Sequence, residues 1–225
     1  VAKSKVDALN DAAIVIWTTT PWTLPGNRAI AFGASMEYVV VNVTDVVEGS
    51  LANVGERFAV AAELLDSVLK DAAITAHEVV AHVKGADLVD TVCRHPLHGQ
   101  GYDFDVPLYV GEFVTTEQGT GFVHIAPGHG EDDFHLGQAH QITIPETVDD
   151  GGKYYGHVPL FAGKHVFKVD KDVVDALKGA SALLLTGKLV HSYPHSWRSK
   201  APLIYRTTPQ WFISMETNDL RKKAL

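Results

Sequence analysis

The apolar residues of this chain come in short runs rich in valine and isoleucine, each cut off by glycine, proline or a polar turn. That pattern suits strands and excludes a helical bundle, which needs apolar positions recurring every three or four residues over long stretches. Strands are expected at Ala13 to Trp17, Arg28 to Phe32, Tyr38 to Val43, Arg57 to Ala61, Ile74 to Val83, Leu108 to Val110 and Phe122 to Ile125. Helical spacing is confined to Glu63 to Lys70, Glu131 to Gln141 and Lys171 to Leu185, where Gly179 weakens the last by about 1 kcal/mol relative to alanine. Many short strands with few helices predict a mixed α/β, β-rich, barrel-like fold rather than a doubly wound parallel sheet.

With 225 residues, 46% hydrophobic and 20% charged, the chain is long enough for one large domain or two small ones around a real core. No run reaches the roughly 18 apolar residues of a membrane span, and the first residues lack the apolar core of a signal peptide, so a cytoplasmic protein with no membrane partner is expected. Cys93, the single cysteine, leaves no internal disulfide and reads as a small core side chain. The net charge of −8 argues against broad nucleic-acid binding, which draws on a basic surface. Residues 188–225 nevertheless carry seven Lys and Arg against two acids, so any RNA contact is expected there or in a small local pocket. The texture changes near Val190. Beyond it, His191 to Arg198 and Thr207 to Phe212 are rich in proline and aromatics, like a connection between domains. The missing initiator methionine and a last helix, Leu220 to Leu225, without a stop signal suggest an excised domain.

Two strings concentrate the chemistry. The first runs from Trp17 through Thr18, Thr19, Thr20, Pro21, Trp22, Thr23, Leu24, Pro25 and Gly26 to Asn27, a strand end opening into turns. Alternate hydroxyls of a strand triplet share one face, and hydroxyls both donate and accept, which suits gripping a ribose or positioning a water. Threonine serving only as a strand former is the plainer alternative. The second string, Gly119 to Phe134, reads as a strand ending near Ala126, a tight Pro-Gly-His-Gly loop and a helix opening on Glu131, Asp132 and Asp133. Acids in a first turn are stabilised by the helix dipole, so simple helix initiation accounts for them. Otherwise Asp132 or Asp133 is a carboxylate held ionised at a cleft mouth, ready for an ammonium group.

His124, His129, His135 and His140 invite a metal-dependent hydrolase reading, but the His-Glu-x-x-His spacing is absent and a scatter of surface and loop histidines is expected, with no metal site. Neither a Gly-x-Ser-x-Gly elbow nor a phosphate-binding Gly-x-x-x-x-Gly-Lys loop occurs. A non-catalytic RNA-binding module is the other alternative.

Taken with the tail Tyr193 to Arg198 and Thr208 to Phe212, the two strings resemble, in order and separation, the editing insertion of isoleucyl-tRNA synthetases of bacterial or organellar type. Valyl and leucyl relatives typically carry arginine where Thr20 stands and an acid where Trp22 stands; Ser196 replaces a cysteine common in relatives. The resemblance implies a barrel-like editing domain over residues 1–189 and, over 190–225, a connection toward a catalytic domain, the rest of the synthetase acting in cis. It implies hydrolysis of valine misattached to the 3′ end of tRNA(Ile), or of Val-AMP, by a positioned water in a size-selective pocket. Asp133 would anchor the α-ammonium, Thr18, Thr19 and Thr20 would line the site around the terminal adenosine and the water, and Trp17 and His124 would limit side-chain size. Trp22, Thr23 and Asn27 are further binding candidates. The His-Ile-Gly-His and Lys-Met-Ser-Lys-Ser signatures of synthesis are absent from the chain, so it is expected to need no cofactor, with ATP belonging to the full-length parent.

Overall fold

The structure is a computed structural model that describes residues 1–189 and 192–225. The expected domain boundary at Val190, with His191, lies outside the described residues. Among the described residues eight strands form two four-stranded sheets. In the first, β1 (Ala13–Ile14), β4 (Arg57–Ala61), β3 (Glu37–Val46) and β5 (Ile74–Lys84) lie side by side in that order. In the second the order is β6 (Val92–Arg94), β7 (Asp105–Val110), β2 (Ala29–Phe32) and β8 (Phe122–Ile125). The helices α1 (Leu65–Asp71), α2 (Glu131–Ala139), α3 (Asp170–Gly179) and α4 (Leu220–Ala224) are short.

The runs of β2, β4 and the first half of β3 are buried on both faces, as central strands between two layers should be, whereas most of the edge strand β5 is exposed. Along β3, Tyr38 and Val40 point into the core between the sheets, where they meet Ile30 and Phe32 of β2, Leu108 of β7 and Phe122 of β8. The alternate residues Val39, Val41 and Val43 pack with Phe58, Val60 and α1 residues Val68 and Leu69. Each such fully buried side chain contributes about 1.5–3 kcal/mol from apolar burial. Cys93 is one of the core residues between the sheets, and burial pushes its thiol up to about 11.

The sheets meet along one seam. The Tyr38 hydroxyl accepts from the Gly33 N–H at 2.9 Å and donates to the Gly121 carbonyl at 2.9 Å, fastening β3 to the turn before β8. The Ala61 N–H donates to the Thr120 carbonyl at 2.8 Å, and Trp17, just past β1, forms a bridge to Val123. Gly121 allows this approach: its φ is +78°, and a Cβ there would stand 2.3 Å from the Ala61 Cβ. The hydrogen-bonded ladders do not form a closed barrel among the described residues, because β5 and β6, at the far ends, are not paired with one another.

Other expectations shift for local reasons. The helix expected to reach Leu185 ends at Gly179, and Ser181 follows at φ +53°. The three residues of β6 carry no alternation long enough to announce a strand. A second core lies beneath the turns: the 3-10 helix Pro21–Gly26 sets Trp22 and Leu24 against Leu97, Tyr154, Phe161 and α3 residues Val173 and Leu177.

Candidate active site

The run that begins as β1 ends at the Trp17 bridge, and the next three residues lie beyond the strand. Pro21 opens the following 3-10 helix, its ring pre-setting the backbone for a first helical position. The Thr18 hydroxyl accepts the Thr20 N–H at 3.0 Å and sits 3.4 Å from the Thr20 hydroxyl. The triplet is thus a turn rather than strand, and all three threonines line an open cleft of about 310 Å³ beside the seam. Trp17, 39% exposed, and Thr23 line it too.

From the other side β8 delivers His124 to the cleft wall. Its ring is committed on both nitrogens. Asn27 Nδ2 stands 2.6 Å from Nδ1, and the same amide reaches the Ala29 carbonyl at 3.0 Å, so it is the donor and Nδ1 the acceptor. Nε2 therefore carries the hydrogen and donates it to the Thr23 hydroxyl at 2.9 Å, which in turn donates to the Thr20 carbonyl at 2.9 Å. Burial in this ring of partners lowers the His124 pKa to about 3, with His95 and His129 nearby acting in the same direction. His124 is a neutral, immobilised wall residue with no free nitrogen to accept a proton. Asn27 and Thr23 are its holders: Asn27 does not line the cleft, and Thr23 does.

Asp133 enters from the first turn of α2, where the helix dipole favours a carboxylate. It is half-buried, and its Oδ1 accepts the Ala126 N–H at 2.6 Å. Burial raises its pKa above the ordinary aspartate value, against the lowering by the Ala126 N–H and its own backbone N–H, and Asp132 raises it further. Gly130 makes the room: a Cβ there would stand 2.4 Å from Asp133 Oδ2. Of the three first-turn acids Asp133 lines the cleft, and Glu131 and Asp132 do not.

The chain spanning this geometry matches the family model described as leucyl-tRNA synthetase, editing domain, over residues 5–163. It belongs to that editing-domain family. It is 50% identical over 225 residues to the isoleucine–tRNA ligase of Pelagibacter ubique, covering 100% of this chain and 24% of that protein. It is 47% identical over 230 residues to the isoleucine–tRNA ligase of Gluconobacter oxydans, covering 97% and 24%. The chain thus spans about a quarter of the length of these relatives. The crystal structure of the P. knowlesi cytosolic leucyl-tRNA synthetase editing domain superposes with a TM-score of 0.57 at 10% identity, covering 78% of this chain and 84% of that one. At that identity the likeness is one of fold.

Within the editing domain the remaining candidates separate. Trp22 is 5% exposed in the second core and does not reach the cleft; its carbonyl accepts the Tyr154 hydroxyl and its ring meets that of His129 edge-on at 5.0 Å. It supports the threonine turn from below. The structure adds residues that the sequence did not single out as site residues. Phe113, Thr115 and Gln118 come from the loop after β7, and Thr120 from the turn before β8. Only the Gly119-Thr120-Gly121 run of the second string signalled any of them.

The expected scatter of surface and loop histidines fails only at His124, which is buried in β8; His129 is half-buried in the loop before α2, His135 lies 4.0 Å from Glu131, and His140 stacks on Tyr109 with ring centres 3.7 Å apart. Among the described residues no group of three or more His, Cys, Asp or Glu side chains is placed to hold a metal ion, and no helix is long and apolar enough to cross a membrane.

Proposed function

We propose that this cleft hydrolyses valine misattached to the 3′ end of tRNA(Ile), or valine held as Val-AMP, as the editing site of an isoleucine–tRNA ligase. The observation that carries the reading is the convergence of Thr18, Thr19, Thr20, His124 and the Asp133 carboxylate on one cleft. Isoleucine and valine differ by one methylene, worth about 1–3 kcal/mol of binding, a magnitude already known for synthetases of this specificity. A second site that admits only the smaller side chain supplies the remaining accuracy.

Asp133 anchors the substrate's α-ammonium as an ionised carboxylate, keeping Oδ1 on the Ala126 N–H. The threonine hydroxyls hold the ribose and a water. The water oxygen attacks the ester carbonyl carbon, the bond to the ribose oxygen breaks, and free valine and the ribose hydroxyl result. Since both nitrogens of His124 are engaged, it limits side-chain size and takes no proton. Rate enhancement then comes from holding water and carbonyl in register, with polar groups already oriented. A barrel-like frame, a cytoplasmic location, ATP use by the parent enzyme and the rest of that enzyme acting in cis belong to the same reading; the bridged seam beside the cleft supports the frame.

The test is a titration of the isotopically labelled chain with a non-hydrolysable valyl-adenosine amide, followed by NMR. Shifts are expected at Thr18 to Thr20, Ala126 and Asp133, and much weaker ones with the isoleucyl amide. Shifts elsewhere, or equal responses to both, would overturn the assignment.

A further inference from the structure

His129 is the residue of the second string that the proposed chemistry does not use. It lines the cleft, yet its ring faces away from any substrate role, because both nitrogens are engaged by protein. Nδ1 donates to the Tyr205 carbonyl at 2.9 Å, which leaves Nε2 to accept the Thr147 hydroxyl at 2.6 Å. Tyr205 belongs to the tail, and its neighbours hold the same layer. The Thr207 N–H donates to the Gly128 carbonyl at 3.0 Å, Arg206 donates to the Val148 carbonyl at 3.1 Å and pairs with Asp150, and Ile204 packs on the second core. Four consecutive tail residues are therefore seated on the domain, whereas Trp211, Phe212 and Ile213 further on are 100%, 88% and 77% exposed.

The seated segment is linked to the cleft through one residue. The His129 N–H donates to the Ala126 carbonyl at 2.8 Å, and the Ala126 N–H donates to Asp133 Oδ1 at 2.6 Å. The two polar groups of Ala126 thus join the turn that carries His129 to the carboxylate.

We propose that His129 is a positioning residue through which the tail segment 204–207 holds the loop 126–130, so that seating of the tail sets where the Asp133 carboxylate stands. Docking of the tail and competence of the cleft are then one equilibrium. The consequence for hydrolysis rests on the function proposed above; the linkage itself does not.

The experiment uses the whole chain, three single variants and the His129→Phe/Thr207→Pro double variant. His129→Phe removes both ring bonds, Thr207→Pro removes the tail's N–H from Gly128 without touching the cleft, and His129→Gln restores one donor and one acceptor. Amide hydrogen exchange is read at Ala126 against the β3 amides, and KM and kcat are read for valyl-ester hydrolysis. The expected result is about ten-fold faster exchange at Ala126 with unchanged β3 amides in His129→Phe and Thr207→Pro, the size of one lost hydrogen bond. KM should rise several-fold in both with kcat changed less, the double variant should be no worse than the worse single one, and His129→Gln should restore wild-type values. Unmoved Ala126 exchange, or equal acceleration of every amide, overturns the proposal. If His129→Phe does not fold, exchange in Thr207→Pro decides the linkage by itself. If the wild-type chain hydrolyses no ester, the functional reading fails while Ala126 exchange still decides the linkage.

Discussion

At Asp133 the identity of the side chain and its surroundings act together: the carboxylate supplies the charge, and burial sets the pH at which it is present. The proposed ammonium contact requires an ionised carboxylate, but burial raises the Asp133 pKa. Substrate binding should therefore weaken, as pH falls, at a higher pH than an exposed aspartate would give. For Asp133→Asn, loss of a charge-assisted contact of about 1.5–3 kcal/mol predicts a 10- to 100-fold fall in kcat/KM for valyl ester, loss of that acid limb and an unchanged far-UV spectrum. An unchanged rate removes Asp133 from the anchor role. Gly130→Ala tests the same point from outside the carboxylate: the added methyl would stand 2.4 Å from Asp133 Oδ2 and force it to shift. It should raise KM for the valyl ester with a change in melting temperature of only a few degrees; an unchanged KM would show that the carboxylate has another position open to it. Asp133 and the threonines were legible in the sequence because their strings are local and particular. The state of His124 was not, since it is set by Asn27, 97 residues away in the chain.

Among the elements, strands were the more legible because each buried run has its own valine-rich pattern and a turn residue at its end. Helix α3 is shorter than its spacing predicts because the apolar pattern continues past Gly179, while the backbone turns at Ser181. The string from Trp17 was expected as a strand end opening into turns; the hydrogen bond from the Thr20 N–H back to the Thr18 hydroxyl and the proline after it close the turn already at the threonines. Phe113, Thr115 and Gln118 gave no sign, because the seam between sheets, not any local pattern, carries their loop to the cleft. That seam predicts its own weak point. Gly121→Ala adds a Cβ 2.3 Å from that of Ala61 at a φ of +78°, so a loss of about 1–3 kcal/mol is expected, read by urea unfolding. A midpoint equal to wild type would mean that the sheets are not held at this contact.

For the molecule as a whole, interior histidines tie stability to pH. His95, whose ring donates to the Leu24 carbonyl and accepts the Leu97 N–H, is lowered by burial to about 4, and His124 to about 3. Both are near 6.5 when unfolded, so the unfolded chain takes up protons that the folded chain refuses as pH drops below that value. Their contribution is fully present above about pH 6.5 and is lost as pH falls toward 4 and then 3, at up to about 1.4 kcal/mol per pH unit for each. The melting temperature should accordingly be lower at pH 5.5 than at pH 7.5. Equal values would contradict the buried, neutral assignment of both rings. The central claim, that the cleft removes valine and spares isoleucine, is tested most directly by offering the purified chain tRNA(Ile) charged with either amino acid, at high protein concentration because the net charge of −8 disfavours tRNA binding, and at low salt so that contacts from the basic residues of 188–225 are least screened. Release of valine well above the spontaneous rate, with isoleucine retained, is the predicted result; release of neither, or of both equally, contradicts it.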